Sequence, residues 1–324
     1  MRSVLAIAIP TFNRAHILKD TIDRIGSVLR QLDIPLVIRD DSDDDQTAGC
    51  VEAWKQSGLR IDYRRNHPRL GHDANLLNVL LAAEADHIWL LGDAVVPDPE
   101  CMGSIVAALS GHDFVFLNAR QATDERRVDH IAVDDLPSFM AERVWEFTLT
   151  GATIYGPRVL DWCRTTPCRD SFRNFGQLGI ILGFMQAHAD TRVTRIGQRA
   201  SRSTRHPRQS YWAHQALEVF GRDWCRVIEA HAAVFGRVGL PSVLKSHARN
   251  TGILEARHLL ELRARSAFSR ADLRTHGAHL AAASCTPRAV AYAIASCPAA
   301  LARLLRRLKF FRRRRRRRPA HRLP

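Results

Sequence analysis

The feature that most constrains this chain is a short-period alternation of strand-like and helix-like stretches over about its first hundred residues. Val4-Leu5-Ala6-Ile7-Ala8-Ile9 is an apolar run of strand length, closed by Pro10. Ile17, Leu18, Ile22, Ile25, Val28 and Leu29 then recur at helical spacing. Pro35 to Arg39 reads as a second strand, 47–57 as a helix and the stretch near Arg60 to Tyr63 as a third strand. A helix over 74–84 leads to Ile88-Trp89-Leu90-Leu91, an apolar run with the signature of a fully buried strand. This order specifies an α/β, mostly parallel, doubly wound (Rossmann-like) sheet. Right-handed crossovers place every loop that follows a strand on one edge, where open α/β sheets collect their ligands.

Polar residues stand at those strand ends. Thr11 follows the first strand, Asp40 and Asp41 the second, and Asp93 the fourth. A carboxylate there accepts hydrogen bonds from a base N–H or a ribose hydroxyl, or holds a hard divalent cation beside phosphates. Neither a GxGxxG turn nor a Walker A loop is present, which disfavours a dinucleotide-dependent dehydrogenase and a P-loop NTPase. Asp43, Asp44 and Asp45 read as an acidic start to the next helix, where carboxylates meet the positive helix end. Asp40, directly after the strand, is the better ligand candidate.

Charge and cysteines narrow the class. The net charge of +15 includes twelve basic and no acidic residues from Arg303 onward, so subtracting twelve from fifteen leaves +3 for residues 1–302. A nearly neutral body argues against a nucleic-acid-binding face, and nucleic acid is not an expected partner. Cys50, Cys101, Cys163, Cys168, Cys225, Cys285 and Cys297 are odd in number and form no CxxC pair, which suits reduced cytosolic thiols without a zinc site. Val4 to Pro10 is too short for the apolar core of a signal peptide.

Four segments occur in one order with element-sized gaps: Ile9-Pro10-Thr11-Phe12-Asn13-Arg14, Val37-Ile38-Arg39-Asp40-Asp41-Ser42, Asn66…Gly71…Asn75, and Trp89-Leu90-Leu91-Gly92-Asp93. Together they resemble the successive signatures of family-2 glycosyltransferases of the GT-A fold. The nearest resemblance is to abequosyltransferase-like enzymes of bacterial surface polysaccharide synthesis. The likeness covers roughly residues 1–120 and thins out beyond. It implies that Pro10, Thr11, Asn13 and Arg14 shape the nucleotide pocket. Asp40, with Asp41 beside it, would accept from a uracil N–H or its equivalent. Arg65 and Asn75 would line the nucleotide and phosphate side, and Asp93 would be the first acid of the Asp-x-Asp motif, near the ribose and a metal-bridged diphosphate.

The motif departs from the family there. Similar enzymes read Gly-Asp-Asp-Asp, whereas this chain has Ala94 and Val95 after Asp93, and Asp98 is the nearby replacement for a metal ligand. A divalent cation, Mn or Mg, would neutralise the departing diphosphate. Arginines offer the alternative, with Arg14, Arg65 and the loop Arg199 to Arg208 as candidates. The same substitution supports a second reading, a catalytically degenerate relative kept for binding or scaffolding.

The expected organisation is a nucleotide-sugar half over 1–120, an acceptor half over 121–212, a helical region over 213–288 and a tail over 289–324. Residues 113–118 read as a strand, 120–135 as a polar excursion, and Phe147 to Tyr155 as a strand and loop on the acceptor side. Asp170 is the general-base candidate, with an N-cap of a helix over 171–187 as its structural alternative. Glu142 and Glu146 are further candidates. Gln198 to Trp212 reads either as a lid over the diphosphate or as an ordinary solvated loop. In the helical region Leu217, Val219, Phe220, Trp224, Val227 and Ile228 form an apolar face. Ala289 to Ala302 carries Pro298 and is too short to span a bilayer. The Leu/Phe-rich segment and seven successive arginines after it suit an anionic membrane surface, each basic residue adding roughly 1 kcal/mol. A nucleic-acid arm or a solubilising end is the rival reading. The chain is thus expected to be a peripheral enzyme on the cytoplasmic face of a bacterial plasma membrane. It would move a sugar, with inversion, from a nucleoside diphosphate, UDP foremost, to a lipid-linked glycan.

Overall fold

The computed structural model describes residues 2–118, 128–166, 172–204 and 211–306. The chain divides into two compact units, Met1–Arg208 with His231–Val238, and Gln209–Ala230 with Gly239–Pro324.

The first unit is built on an eight-stranded sheet. Its parallel half contains β1 (Ser3–Thr11), β2 (Leu36–Asp40), β3 (Ile61–Arg65) and β4 (Ala85–Leu90), in the order β3-β2-β1-β4. Helices α1 (Ala15–Gln31), α2 (Gln46–Gln56) and α3 (His72–Ala82) supply the crossovers. The predicted elements are present with small shifts in their ends. Leu5 to Ile9 and all of β2 are buried, as central strands of a doubly covered sheet must be. On α1, Ile17, Leu18, Ile22, Ile25 and Leu29 are buried in one stripe against them, with Val28 at the margin.

Beyond β4 the sheet changes character. β5 (Val95–Pro97) leaves it, and α4 (Met102–Ala107) leads to β6 (Phe114–Asn118). β7 (Val128–Ile131), α5 (Leu136–Arg143), β8 (Thr153–Tyr155), α6 (Pro157–Thr165), α7 (Gly176–Ala187), β9 (Val193–Arg199) and β10 (Ser201–Ser203) complete the unit. The sheet continues β4-β8-β6-β9-β7, with β8 antiparallel to both neighbours, β6 parallel to β9, and β7 antiparallel on the edge. The expected polar excursion over 120–135 therefore contains a strand. Only four residues long and outward-facing at alternate positions, it carries little apolar signal. Strand β9 went unread for a similar reason: Thr194, Arg195, Gly197, Gln198 and Arg199 interrupt its apolar residues.

The segment read as a lid is partly held. β10 pairs antiparallel with β5, Arg202 opposite Val96. Asp98 N–H donates to the Ala200 carbonyl at 2.8 Å and Thr204 N–H to the Ala94 carbonyl at 2.9 Å. Helix α7 starts at Gly176 rather than at 171, with Phe175 at its cap position.

In the second unit lie α8 (Trp224–Ala230), α9 (Leu240–Thr251), α10 (Ala256–Ala264), α11 (Arg270–Ala283) and α12 (Arg288–Ser296). Leu217, Val219, Phe220, Trp224, Val227 and Ile228 are all buried, as their spacing required. Trp224 Nε1–H donates to the Leu244 carbonyl at 2.7 Å, and Phe220 stacks on His247 at 4.4 Å between centroids. Beyond α12, Ala299–Arg306 is a further helical segment turned by 108°, with Pro298 in the break. Among the described residues no single helix is long and apolar enough to cross a membrane.

Two glycines of the first unit separate packing from backbone effects. A Cβ on Gly156 would stand 2.3 Å from the His112 carbonyl oxygen, whereas one on Gly103 in α4 would meet nothing within 4 Å. Gly156→Ala is therefore expected to cost about 2 kcal/mol of stability, and Gly103→Ala to add about 0.5 kcal/mol, read from denaturant unfolding midpoints. A Gly156→Ala midpoint at or above the wild-type value would contradict the close approach of β8 and β6.

Candidate functional site

The parallel register builds the site. Thr11 on β1 is level with Asp40 on β2, and Asp40 is level with Arg65 on β3. Asp93 follows β4 by a short turn and comes back to the same edge, where Thr11 Oγ1–H donates to its Oδ2 at 3.3 Å. Pro10, one residue inside the edge, is paired with Arg39. Thr11, Asp40 and Asp93 thus converge as the strand pattern requires.

The two adjacent aspartates do different work. Asp40 is fully buried, and its Oδ1 accepts from the Ser42 N–H at 2.9 Å and from the Ser42 hydroxyl. Its Oδ2 accepts from the Tyr63 hydroxyl at 3.1 Å. Burial and the neighbouring Asp40 carboxylate push the Tyr63 phenol well above its ordinary range. Asp41 instead organises the loop after β3. Its carboxylate accepts from Asn66 Nδ2 at 2.6 Å, Leu70 N–H at 3.3 Å and Gly71 N–H at 2.8 Å. Gly71 takes φ of +82°, a left-handed conformation that glycine adopts without strain.

Asn75, Asn13 and Arg65 are tied into the same framework. Asn75 accepts from Asn66 at 2.9 Å and donates to the Arg39 carbonyl at 3.0 Å. Asn13 Nδ2 donates to Asp43 at 2.9 Å, and Asn13 Oδ1 accepts from the Asp43 N–H at 3.0 Å. The hydrogen bond from Asn13, then Arg69 and Arg65 nearby, hold the Asp43 carboxyl below its ordinary value. Arg65 donates to the Ser42 carbonyl at 3.0 Å and the Asp43 carbonyl at 2.8 Å, and pairs with Asp45. The acidic run is thus mainly a clasp rather than a helix cap. Asp45 occupies the cap position of α2 without a side-chain cap bond, and only Asp44 accepts from a first-turn N–H, that of Gln46 at 3.1 Å.

Asp93 is 6% exposed. Its Oδ1 receives Arg14 Nη1 at 2.8 Å, and its backbone carbonyl accepts from the Thr21 hydroxyl at 2.7 Å. Burial pushes its carboxyl above the ordinary value, opposed by the Arg14 charge and the Thr11 hydroxyl. Val95 lies in the apolar core and closes a turn by donating its N–H to Gly92 at 2.9 Å. Asp98 caps the turn 99–101 through the Glu100 N–H at 3.2 Å and pairs with Arg202 at 3.1 Å. Among the described residues no three His, Cys, Asp or Glu side chains are grouped to hold a metal ion. One carboxylate already bound to an arginine does not fit the several oxygen ligands that Mn or Mg requires, and Asp98 does not supply the missing one.

Asp170 lies outside the described residues. Glu146 is buried and receives Arg143 at 2.9 Å, while the same arginine reaches the exposed Glu142 at 3.2 Å. Sequence reasoning missed a half-open cavity of about 310 Å³ beside Gly71, lined by His72, Asp73, Phe172 and Arg173 among others. Asp73 there accepts from the Asn174 N–H at 3.1 Å. Its one sequence signal was position, at the start of the third crossover helix.

Asp41→Ala is expected to cost about 3 kcal/mol, because a buried carboxylate accepting three N–H groups is removed. Amide exchange of Leu70 and Gly71 should accelerate with it. Unchanged exchange at both would show that the loop is held by other contacts.

Residues 6–156 match the family described as Glycosyl transferase family 2. The chain is similar to TarS residues 1–349 of S. aureus in complex with UDP-GlcNAc, at 13% identity over 90% of each chain with a TM-score of 0.55. It is also similar to the mannosyltransferase PcManGT of Pyrobaculum calidifontis in complex with GDP-Man and Mn2+, at 16% identity over 87% and 86% of the two chains, TM-score 0.53. Likeness at these identities speaks for the fold. No curated protein matches the chain. The match to that family covers residues 6–156, and the fold is that of the GT-A transferases.

Proposed function

We propose that the chain transfers a glycosyl group from a nucleoside diphosphate sugar to a saccharide hydroxyl, with inversion at the anomeric carbon. The observation that carries this reading is the convergence of Thr11, Asp40, Asp93 and Arg14 on the carboxyl edge of a family 2 domain. Asp40, level with Thr11 at the strand edge, stands where the resemblance expects the acceptor of a base N–H, and on that resemblance UDP is the favoured nucleotide. Asp93 and Arg14 serve the ribose and diphosphate side. The acceptor hydroxyl attacks the anomeric carbon as a carboxylate, with Asp170 as the candidate, takes its proton. The bond from that carbon to the diphosphate oxygen breaks, and the nucleoside diphosphate departs with the electron pair. The four sequence segments favour an abequosyltransferase-like donor chemistry, a hexose or deoxyhexose.

A lipid-linked glycan is the acceptor favoured by the chain's end. Leu301, Leu304 and Leu305 are exposed, Arg303 and Arg306 lie among them, and seven arginines follow in the sequence. Such a segment suits the anionic inner surface of a bacterial plasma membrane. A second reading, a degenerate relative that binds without turnover, rests on Val95 in the core where the family places an acid.

Calorimetric titration of the full chain with UDP, GDP and CDP is expected to show binding of one of them. Asp40→Asn should weaken it at least tenfold, about 1.4 kcal/mol, with an unchanged melting temperature. Failure of all three to bind removes the enzyme reading, and binding without turnover of any donor sugar selects the degenerate one. Co-sedimentation with phosphatidylglycerol vesicles should be lost in a chain ending at Arg306 and weakened by salt. Retention by that shortened chain would exclude the arginine run as the anchor.

A further inference from the structure

We propose that the donor diphosphate is neutralised in this protein by the Arg14 guanidinium, in the place where related sites use a divalent ion. The inference rests on the glycosyl-transfer reading above and commits it to a metal-independent site. Three observations carry it. Both oxygens of Asp93 are engaged, Oδ1 by Arg14 at 2.8 Å and Oδ2 by Thr11 at 3.3 Å. Val95 fills its position with a buried isopropyl group against Gly92 and Gly151. Asp98 is spent on a turn cap and on Arg202. Together they leave a divalent ion without a ligand set.

Arg14 has what the ion would have supplied. Its side chain is 34% exposed, so the pair faces solvent on one side and protein on the other. Among the described residues Asp93 is its one carboxylate partner, engaged through Nη1, which leaves most of the five guanidinium donors for phosphate oxygens. The fork of a guanidinium matches phosphate geometry in pairs of hydrogen bonds. Arg14 also occupies the N-cap position of α1, a seventeen-residue helix whose positive end adds to the same field. In this arrangement Asp93 is a positioning residue. It anchors the guanidinium at the strand edge, and the arginine carries the charge.

The test compares, in the full chain, the tightest-binding nucleoside diphosphate with its nucleoside, each in excess EDTA and in manganese chloride. Diphosphate affinity is expected to agree within twofold between the two conditions. Arg14→Ala should lower it at least tenfold while leaving nucleoside affinity in place, which guards against simple unfolding. Arg14→Lys should recover part of the loss, a point charge replacing a fork. A tenfold or greater gain in affinity with manganese would overturn the inference while leaving glycosyl transfer standing, as would an Arg14→Ala variant that binds the diphosphate as tightly as wild type. Absence of binding by every diphosphate and nucleoside would overturn both readings together.

Discussion

The site depends on one buried carboxylate, that of Asp41. At 3% exposure it is offset by side-chain and backbone donors from the loop after β3, while its own N–H donates to the Thr11 carbonyl at 3.0 Å. Three strand ends are thereby locked at one edge. A buried charge is costly unless its lone pairs are filled, so the loop is held in the conformation that fills them. Gly71 permits that conformation, and the loop lines the cavity with Gly71, His72 and Asp73.

The neighbouring Asp40 shows how register divides labour between adjacent side chains. Successive residues of an extended chain point to opposite faces. Asp40 therefore meets Tyr63 on the next strand, and Asp41 meets the following loop. In the sequence they are one acidic pair. Asp43 to Asp45 underwent a similar division, into clasps with Asn13, Gln46 and Arg65.

The turn after β4 sets a buried valine close to a buried carboxylate. Val95 is buried in the apolar core, and Asp93, two residues before it, pairs with Arg14. Burial pushes the Asp93 carboxyl above its ordinary value, and the Arg14 guanidinium opposes that shift. The sequence displayed Ala94 and Val95 after Asp93 plainly. Which of several arginines compensates was open, because Arg14, Arg65 and the loop 199–208 were equivalent by composition. Arg65 proved to be spent on the loop after β2, and Arg199 on the Ser201 carbonyl.

By itself the sequence determined the parallel half of the sheet, its helices and the edge on which the candidate residues gather. Those features follow from local periodicity, burial on both faces of central strands and the fixed hand of crossovers. It also determined which chemistry stood at the strand ends. Only the tertiary structure decided that β8, within a stretch the sequence offered as strand and loop, runs antiparallel between β4 and β6, that the short, weakly patterned β7 forms an edge, and that β10 pairs with the segment after Asp93. It alone decided that Arg14 rather than Arg65 faces Asp93, and that Asp98 is already occupied. These partners lie 79 and 104 residues apart. Contacts over such separations are set by strand register and loop path, which no local window of residue types contains.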